Sequence, residues 1–522
     1  MTRGADHVMR ALAAKGVTDI FALSGNQIMP VFDASLTADI RLYHTRHEAA
    51  ALYMAESYAQ ISGKVGVALV TAGAGLGNAI GPLLTARASD TPVVLLSGDS
   101  PVGRDGQGAF QEMDQVALTQ SLTKWSIRPK RVEDLYDTIS CAVDMATSGR
   151  PGPVHVSLPA DVLLATGEAE TSEKLTDAPV ADITALTKWL SGAKTPLIVV
   201  GPALNETRAP GLASSLGDAL GAPVLCMESP RGVNDPSLGH LAPVFAKADR
   251  ILLLGKSLDF TLQFGKCAPT AAWACVNADE AECARAKAAA GSQIDIVING
   301  CARQVASALV EQTSNTARQA WREEVFTHVH RRVAPHKEST DIFPHDVTDA
   351  VQAVVNEVEN PILVCDGGEF GQWAQAGVSA PRRVINGVSG AIGGGLCYAM
   401  ASRVADPTAT VFALMGDGTV GFHFAEFETA VRENLPFVAI IGNDQSWNAE
   451  HQIQLRDYGP DRLHGCTLSD ARYDQAVSAM GGFGAYVESL SDLTEAIRAA
   501  VASNKPACVN VKMTGRPAPT LT

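Results

Sequence analysis

Short apolar runs alternate with helix-length amphipathic stretches along almost the whole chain. That rhythm of strand, helix, strand predicts parallel sheets covered by helices on both faces. The strand candidates are Val65–Thr71, Pro92–Ser97, Val154–Leu158, Pro196–Gly201, Arg250–Gly255, Ile362–Cys365, Thr410–Met415 and Phe437–Gly442. Two polar stretches, Ala165–Val180 and Glu311–His345, interrupt the rhythm and read as linkers. The expected fold is therefore α/β, with three doubly wound parallel-sheet domains at residues 1–165, 182–312 and 345–522. The second linker carries His328, His330, Arg331 and Arg332 without the cysteines or spaced carboxylates of a metal box, and reads as a solvated helix face.

The first and last domains resemble each other. Val67–Gly73 (VALVTAG), a helix and Pro92–Asp99 (PVVLLSGD) parallel Phe412–Gly418 (FALMGDG), a helix and Phe437–Asp444 (FVAIIGND). The offset is constant, since 418 − 73 and 444 − 99 both equal 345, which pairs Gly73 with Gly418 and Asp99 with Asp444.

Composition narrows the function. The 522 residues are 46% apolar, ample for several cores, and 41 basic against 56 acidic residues leave a net charge of −15. That sign disfavours nucleic acid and anionic membranes as partners. The most apolar long stretch, Gly387 to Ala401, is Gly-rich and too short for a membrane span, and Met1 to Val17 lacks the apolar core of a signal peptide. Ten cysteines with no C-x-x-C fit reduced thiols and predict a cytoplasmic protein.

The chemistry concentrates between Thr410 and Glu450. One predicted strand ends in Gly416-Asp417-Gly418, and the next ends in Asn443-Asp444-Gln445-Ser446. Both tips of such a unit emerge on the same sheet edge, so Asp417 and Asp444 converge. Two carboxylates with a backbone carbonyl near Ser446 make an all-oxygen site for Mg²⁺, which completes its shell with phosphate oxygens. Gly416 and Gly418 let the backbone approach the phosphates closely.

These residues resemble the thiamin-diphosphate enzyme superfamily, in its acetolactate synthase, benzaldehyde lyase, 2-hydroxyacyl-CoA lyase and oxalyl-CoA decarboxylase group. Besides the two acidic turns, the matching stretches are Thr45–Ala50, Thr71–Asn78, Ala109–Glu112, Thr123–Trp125, Gly149–Pro153 and Gln445–Trp447. The resemblance implies pyrimidine-binding, central and diphosphate-binding domains, with active sites between subunits of a homodimer or homotetramer. It assigns Glu48 to protonating the aminopyrimidine ring, Ile392 to wedging the cofactor into a bent shape, and Gly368 and Glu369 to the pyrimidine-side loop. Gln111 matches a glutamine that hydrogen-bonds the substrate adduct, Asn26 and Gln27 stand where relatives face the reacting carbon, and Glu450 resembles a proton-relaying acid.

Two departures qualify the match. Asp444 replaces the usual asparagine, and Gly255-Lys256-Ser257-Leu258-Asp259-Phe260 differs from the flavin-binding run of acetolactate synthases, so FAD is not expected. Basic residues for a CoA or ADP tail are sparse there, Lys256 and Lys266 being the only nearby ones, which weakens the CoA branch. The expected activity is decarboxylation of a 2-oxo acid such as pyruvate, followed by ligation or protonation of the remaining unit. The runner-up is an acyloin or 2-hydroxyacyl-CoA lyase, and a dinucleotide-binding oxidoreductase is a distant third.

Overall fold

A computed structural model describes residues 2–169, 181–312, 318–333 and 341–521. Three parallel sheets of six, five and six strands occupy the first, middle and last parts of the chain. The expected α/β class and its three domains are present. Part of the first expected linker, residues 170–180, lies outside the described residues.

The first sheet comprises Asp19–Ala22, Arg41–His44, Gly66–Val70, Val93–Asp99, Trp125–Ile127 and Val154–Pro159. The last comprises Pro361–Asp366, Arg382–Ile385, Thr410–Gly416, Phe437–Asn443, Phe483–Val487 and Pro506–Lys512. Counted in chain order, the strands of both sheets stand side by side as second, first, third, fourth, sixth, fifth. The sequence repeat is thus a repeat of topology.

The two halves meet through the helices Glu48–Ser62 and Gly395–Ala405, which bury nearly all of their surfaces against each other and the sheets. The offset of 345 holds at this contact. Tyr53 and Tyr398 meet edge to face at 5.5 Å, and the Ser57 and Ser402 hydroxyls are 3.1 Å apart. Residues paired by the repeat touch each other, as a local two-fold axis requires. The first of these helices is buried on nearly every face, its polar Glu56, Ser57 and Gln60 included, because both sides are covered. It starts at His47, whose ring accepts from the Ala49 N–H, and stops at Gly63 in the left-handed region (φ 71°). Gly66 follows because a Cβ there would sit 1.9 Å from the Ala55 carbonyl oxygen.

The middle sheet comprises Pro196–Val200, Val224–Cys226, Arg250–Leu254, Ala272–Asn277 and Ile294–Asn299. The second expected linker is corrected in part. Gln319–Val329 forms a helix whose Trp321 and Val325 are buried in the middle core, and the Trp321 indole donates to the Pro196 carbonyl at 2.8 Å. Trp321, Val325 and the partly buried Val329 anchor a helix whose remaining face carries Arg322, Glu323 and Glu324, which is why its pattern reads as a solvated connection. Among the described residues no helix is long and apolar enough to cross a membrane.

Candidate active site

The strands Thr410–Gly416 and Phe437–Asn443 are neighbours in register, with Gly416 opposite Gly442, so their C-terminal tips lie side by side. Asp417 opens a four-residue helix at the first tip and Asp444 follows the second. One cavity is lined by Gly368, Glu369, Ile392, Gly416, Asp417, Gly418, Asp444, Ser446 and Glu450, which are all the expected site residues of the last domain.

Asp417 is 1% exposed, and its Oδ2 has no hydrogen-bond partner. Burial, reinforced by the neighbouring Asp444, pushes its pKa up to about 7. Burial also raises the pKa of Asp444, opposed by hydrogen bonds from Ser446 and Asn448. A buried carboxylate with an orphaned oxygen beside a half-buried one is costly unless a cation joins them. The donor set fits a hard divalent ion such as Mg²⁺. Trp447 closes one side of the turn, since a Cβ on Gly418 would lie 2.7 Å from its ring.

The cavity's other walls are equally constrained. Asp366, fully buried with a pKa pushed up to about 7 by that burial, accepts from the Gly393 N–H at 3.0 Å and the Gly395 N–H at 2.6 Å, fixing the loop that carries Ile392. Gly393 has φ 98° and leaves no room for a side chain, because its Cβ would meet Phe422 at 2.5 Å. The Glu369 carboxylate is held by Arg231 of the middle domain and by the Ala518 N–H of the C-terminal tail. Glu450 is exposed in the first turn of Asn448–Tyr458, at the cavity's rim.

The expected residues of the first domain gather elsewhere in the same chain; none lines this cavity. Glu48 is the first residue of its helix, half-buried, and accepts from the Asn78 amide at 2.9 Å. The Thr71 hydroxyl donates to Gln27 Oε1 at 2.8 Å, and Gln27 Nε2 donates to Gln111 Oε1 at 2.8 Å. Because the Gln111 oxygen is occupied, its NH₂ group is the free end. Gln111 itself sits in the left-handed region at φ 60°, within a loop gathered by Glu112, which accepts from the Gly106, Gly108 and Ala109 N–H groups. Asn26 parts company with Gln27: it is exposed, while Gln27 is buried.

Sequence reasoning missed Asp366 and Arg231, whose partners lie far along the chain, and Asn448, which holds Asp444 from four residues on. It also missed a cavity at the C-terminal edge of the middle sheet, lined by Gly201, Gly255, Asn277, Arg150, Arg208 and Arg303. The expectation that Lys256 and Lys266 are the basic groups available there is corrected: Lys256 is 2% exposed and paired with Asp259, whereas three arginines line the cavity.

Two family models match the chain. One, described as "Thiamine pyrophosphate enzyme, N-terminal TPP binding domain", spans residues 2–118, and the corresponding C-terminal TPP binding domain spans residues 366–511. The chain is 30% identical to human 2-hydroxyacyl-CoA lyase 2, over 92% of this chain and 84% of that protein. It is also 30% identical to the Mycobacterium tuberculosis acetolactate synthase large subunit IlvG, over 97% and 94%. In fold it matches the Rhodococcus jostii RHA1 thiamine diphosphate-dependent 4-hydroxybenzoylformate decarboxylase with a TM-score of 0.85 at 24% identity, covering 99% of this chain and 100% of that one. With both cofactor-binding domains matched and two relatives 30% identical over most of their length, the chain belongs to the thiamine pyrophosphate enzyme family, and is a thiamin-diphosphate-dependent enzyme.

Proposed function

We propose that this enzyme makes or breaks a carbon–carbon bond beside a carbonyl, with a 2-oxo acid such as pyruvate as its donor. Thiamin diphosphate, when bound, supplies a nucleophilic carbon and an electron sink for the bond that breaks. Asp417, Asp444 and the backbone at Ser446 hold Mg²⁺ and through it the diphosphate, while Gly416 and Gly418 admit the phosphates. Ile392 props the cofactor, and Gly368 and Glu369 border its pyrimidine side. Glu48 holds a proton at the pyrimidine ring nitrogen. The observation that carries this reading is the buried, unpartnered Asp417 oxygen beside Asp444.

The substrate side is polar and neutral. Thr71, Gln27 and Gln111 form a relay in which each occupied acceptor turns the next donor outward, leaving the Gln111 NH₂ for a substrate oxygen that gains negative charge. Asn26 adds an exposed polar contact near it, and Glu450 at the rim is an acid able to return a proton to carbon after CO₂ leaves.

Glu48 and the Asp417 cavity belong to different groups within one chain, which supports an active site shared between two copies, in a homodimer or a homotetramer. Phe110 next to Gln111, 73% exposed, and Phe422 beside the Asp417 turn, 55% exposed, are apolar surface that such a contact would cover. All ten cysteines are free thiols, which supports a reducing, cytoplasmic location.

A second reading, an acyloin or 2-hydroxyacyl-CoA lyase, is favoured by the arginine-lined cavity of the middle sheet. Arg150, Arg208 and Arg303 line it together, a concentration of positive charge suited to the phosphates of a CoA tail. One substrate panel separates the readings. Release of CO₂ from 2-oxo acids, with and without an aldehyde acceptor, supports the first; aldehyde release from acyloins or 2-hydroxyacyl-CoA supports the second. Neither product with any substrate would contradict both.

A further inference from the structure

The helix Glu426–Arg432 starts nine residues after Asp417, on the segment that leaves the metal-binding turn. It packs against the segment that leads into Glu48. Glu426 is 1% exposed, and its carboxylate accepts from the Arg46 N–H at 3.0 Å through Oε1 and 3.3 Å through Oε2. Thr429 orients that carboxylate by donating its hydroxyl to Oε2 at 2.6 Å. Around this buried contact, Arg432 donates to the His44 carbonyl, Arg46 pairs with Glu428 at 3.2 Å and Arg41 pairs with Glu433 at 3.3 Å. The exposed pairs contribute little, so the buried Glu426 contact dominates.

A second contact converges on the same place. His423, buried, meets the ring of His47 edge to face at 5.7 Å, and its Nδ1 lies 2.6 Å from the Gly393 carbonyl. A carbonyl only accepts, so Nδ1 carries the proton. His47 is the N-cap residue directly before Glu48, and Gly393 directly follows Ile392. One short segment therefore braces both the backbone before Glu48 and the loop behind Ile392.

We propose that Glu426 is a positioning residue for Glu48: by gripping the Arg46 backbone two residues upstream, it fixes where the Glu48 carboxylate points. A buried carboxylate whose neighbouring cation, Arg46, pairs instead with Glu428 is costly to keep for packing alone. Its acceptor oxygens here are spent on the main-chain N–H groups of Arg46 and His47 and on a hydroxyl. The inference rests on the role proposed above for Glu48, and adds a residue outside the cavity that controls it.

The test measures exchange of the thiamin diphosphate C2 proton for deuterium by NMR, on enzyme loaded with the cofactor and Mg²⁺, alongside calorimetric cofactor affinity and thermal melting. Wild type is expected to speed exchange strongly over free cofactor, and Glu48→Gln to lose that acceleration. Glu426→Ala should slow exchange about 10- to 100-fold, the scale of a misplaced catalytic group, with cofactor affinity unchanged. Glu426→Gln keeps an acceptor for the Arg46 N–H and should recover most of the rate. If Glu426→Ala fails to fold, Thr429→Val carries the test, with a smaller slowing expected. Wild-type exchange in the folded variant, or affinity and exchange falling together, overturns the inference. A wild-type enzyme that does not accelerate exchange overturns the Glu48 role itself, which is a distinct result.

Discussion

The first and last domains share a topology and a repeat, yet their matching strand tips solve the same electrostatic problem differently. In the last domain, Asp417 and Asp444 stand together with one oxygen unpartnered. In the first, the position matching Asp417 is Ala72, and Asp99, matching Asp444, is bound by Arg128 at 2.6 Å and by the Ser157 hydroxyl at 2.6 Å. One tip is closed by the protein's own cation; at the other, no basic side chain among the described residues pairs with either carboxylate. On the proposed reading, the same scaffold becomes a metal site where a second carboxylate is added and the internal arginine withheld.

The largest effect expected on the metal-free side of this comparison is at Glu48. Glu48→Gln should lower turnover about 10³-fold while calorimetric cofactor binding persists, because a neutral amide cannot hold the transferable proton. Equal loss of binding and turnover would show that Glu48 serves the fold instead.

Arg128→Met removes the internal cation. It leaves Asp99 buried and uncompensated, and should cost about 3–5 kcal/mol in urea unfolding. If added Mg²⁺ restored stability there, the two tips would be more alike than their partners suggest.

At the contact between the halves, Glu56 is fully buried and accepts from the Ser89 hydroxyl at 2.6 Å and the Tyr398 hydroxyl at 2.9 Å. Burial raises its pKa from 4.5 to about 7. Between those values the folded chain holds a proton that the unfolded chain has lost, so its contribution is complete below pH 4.5 and falls as pH rises to 7. Glu56→Gln should remove that slope, raising stability at pH 8 relative to pH 5 by up to about 3 kcal/mol compared with wild type. Parallel stability–pH curves for the two proteins would contradict it.

The smallest effect is at Asp444. Asp444→Asn keeps an oxygen ligand but removes a charge, so Mg²⁺ affinity should fall only about tenfold, ~1.4 kcal/mol, and activity should return at higher Mg²⁺. A loss that no Mg²⁺ concentration reverses would mean that the second carboxylate is indispensable.

Much of this was legible in the chain. A turn ending a strand is a local feature, so the Gly416–Gly418 and Asp444 tips and their convergence follow from spacing alone, and the offset of 345 reaches as far as the Tyr53–Tyr398 contact. What stayed hidden depends on segments far apart. The alternative fates of Asn26 and Gln27 are decided by Thr71 and Gln111, the middle-sheet cavity draws Arg150 from another domain, and Glu426 matters only because a helix 380 residues downstream meets Arg46. No periodicity encodes such meetings; packing does.

The most direct test is calorimetric titration of cofactor-free protein with thiamin diphosphate, with and without Mg²⁺, for wild type and Asp417→Asn. Saturable binding by wild type that requires Mg²⁺ and is lost in Asp417→Asn is the predicted result. Binding of equal strength without the metal, or in the variant, would contradict the metal-anchored site.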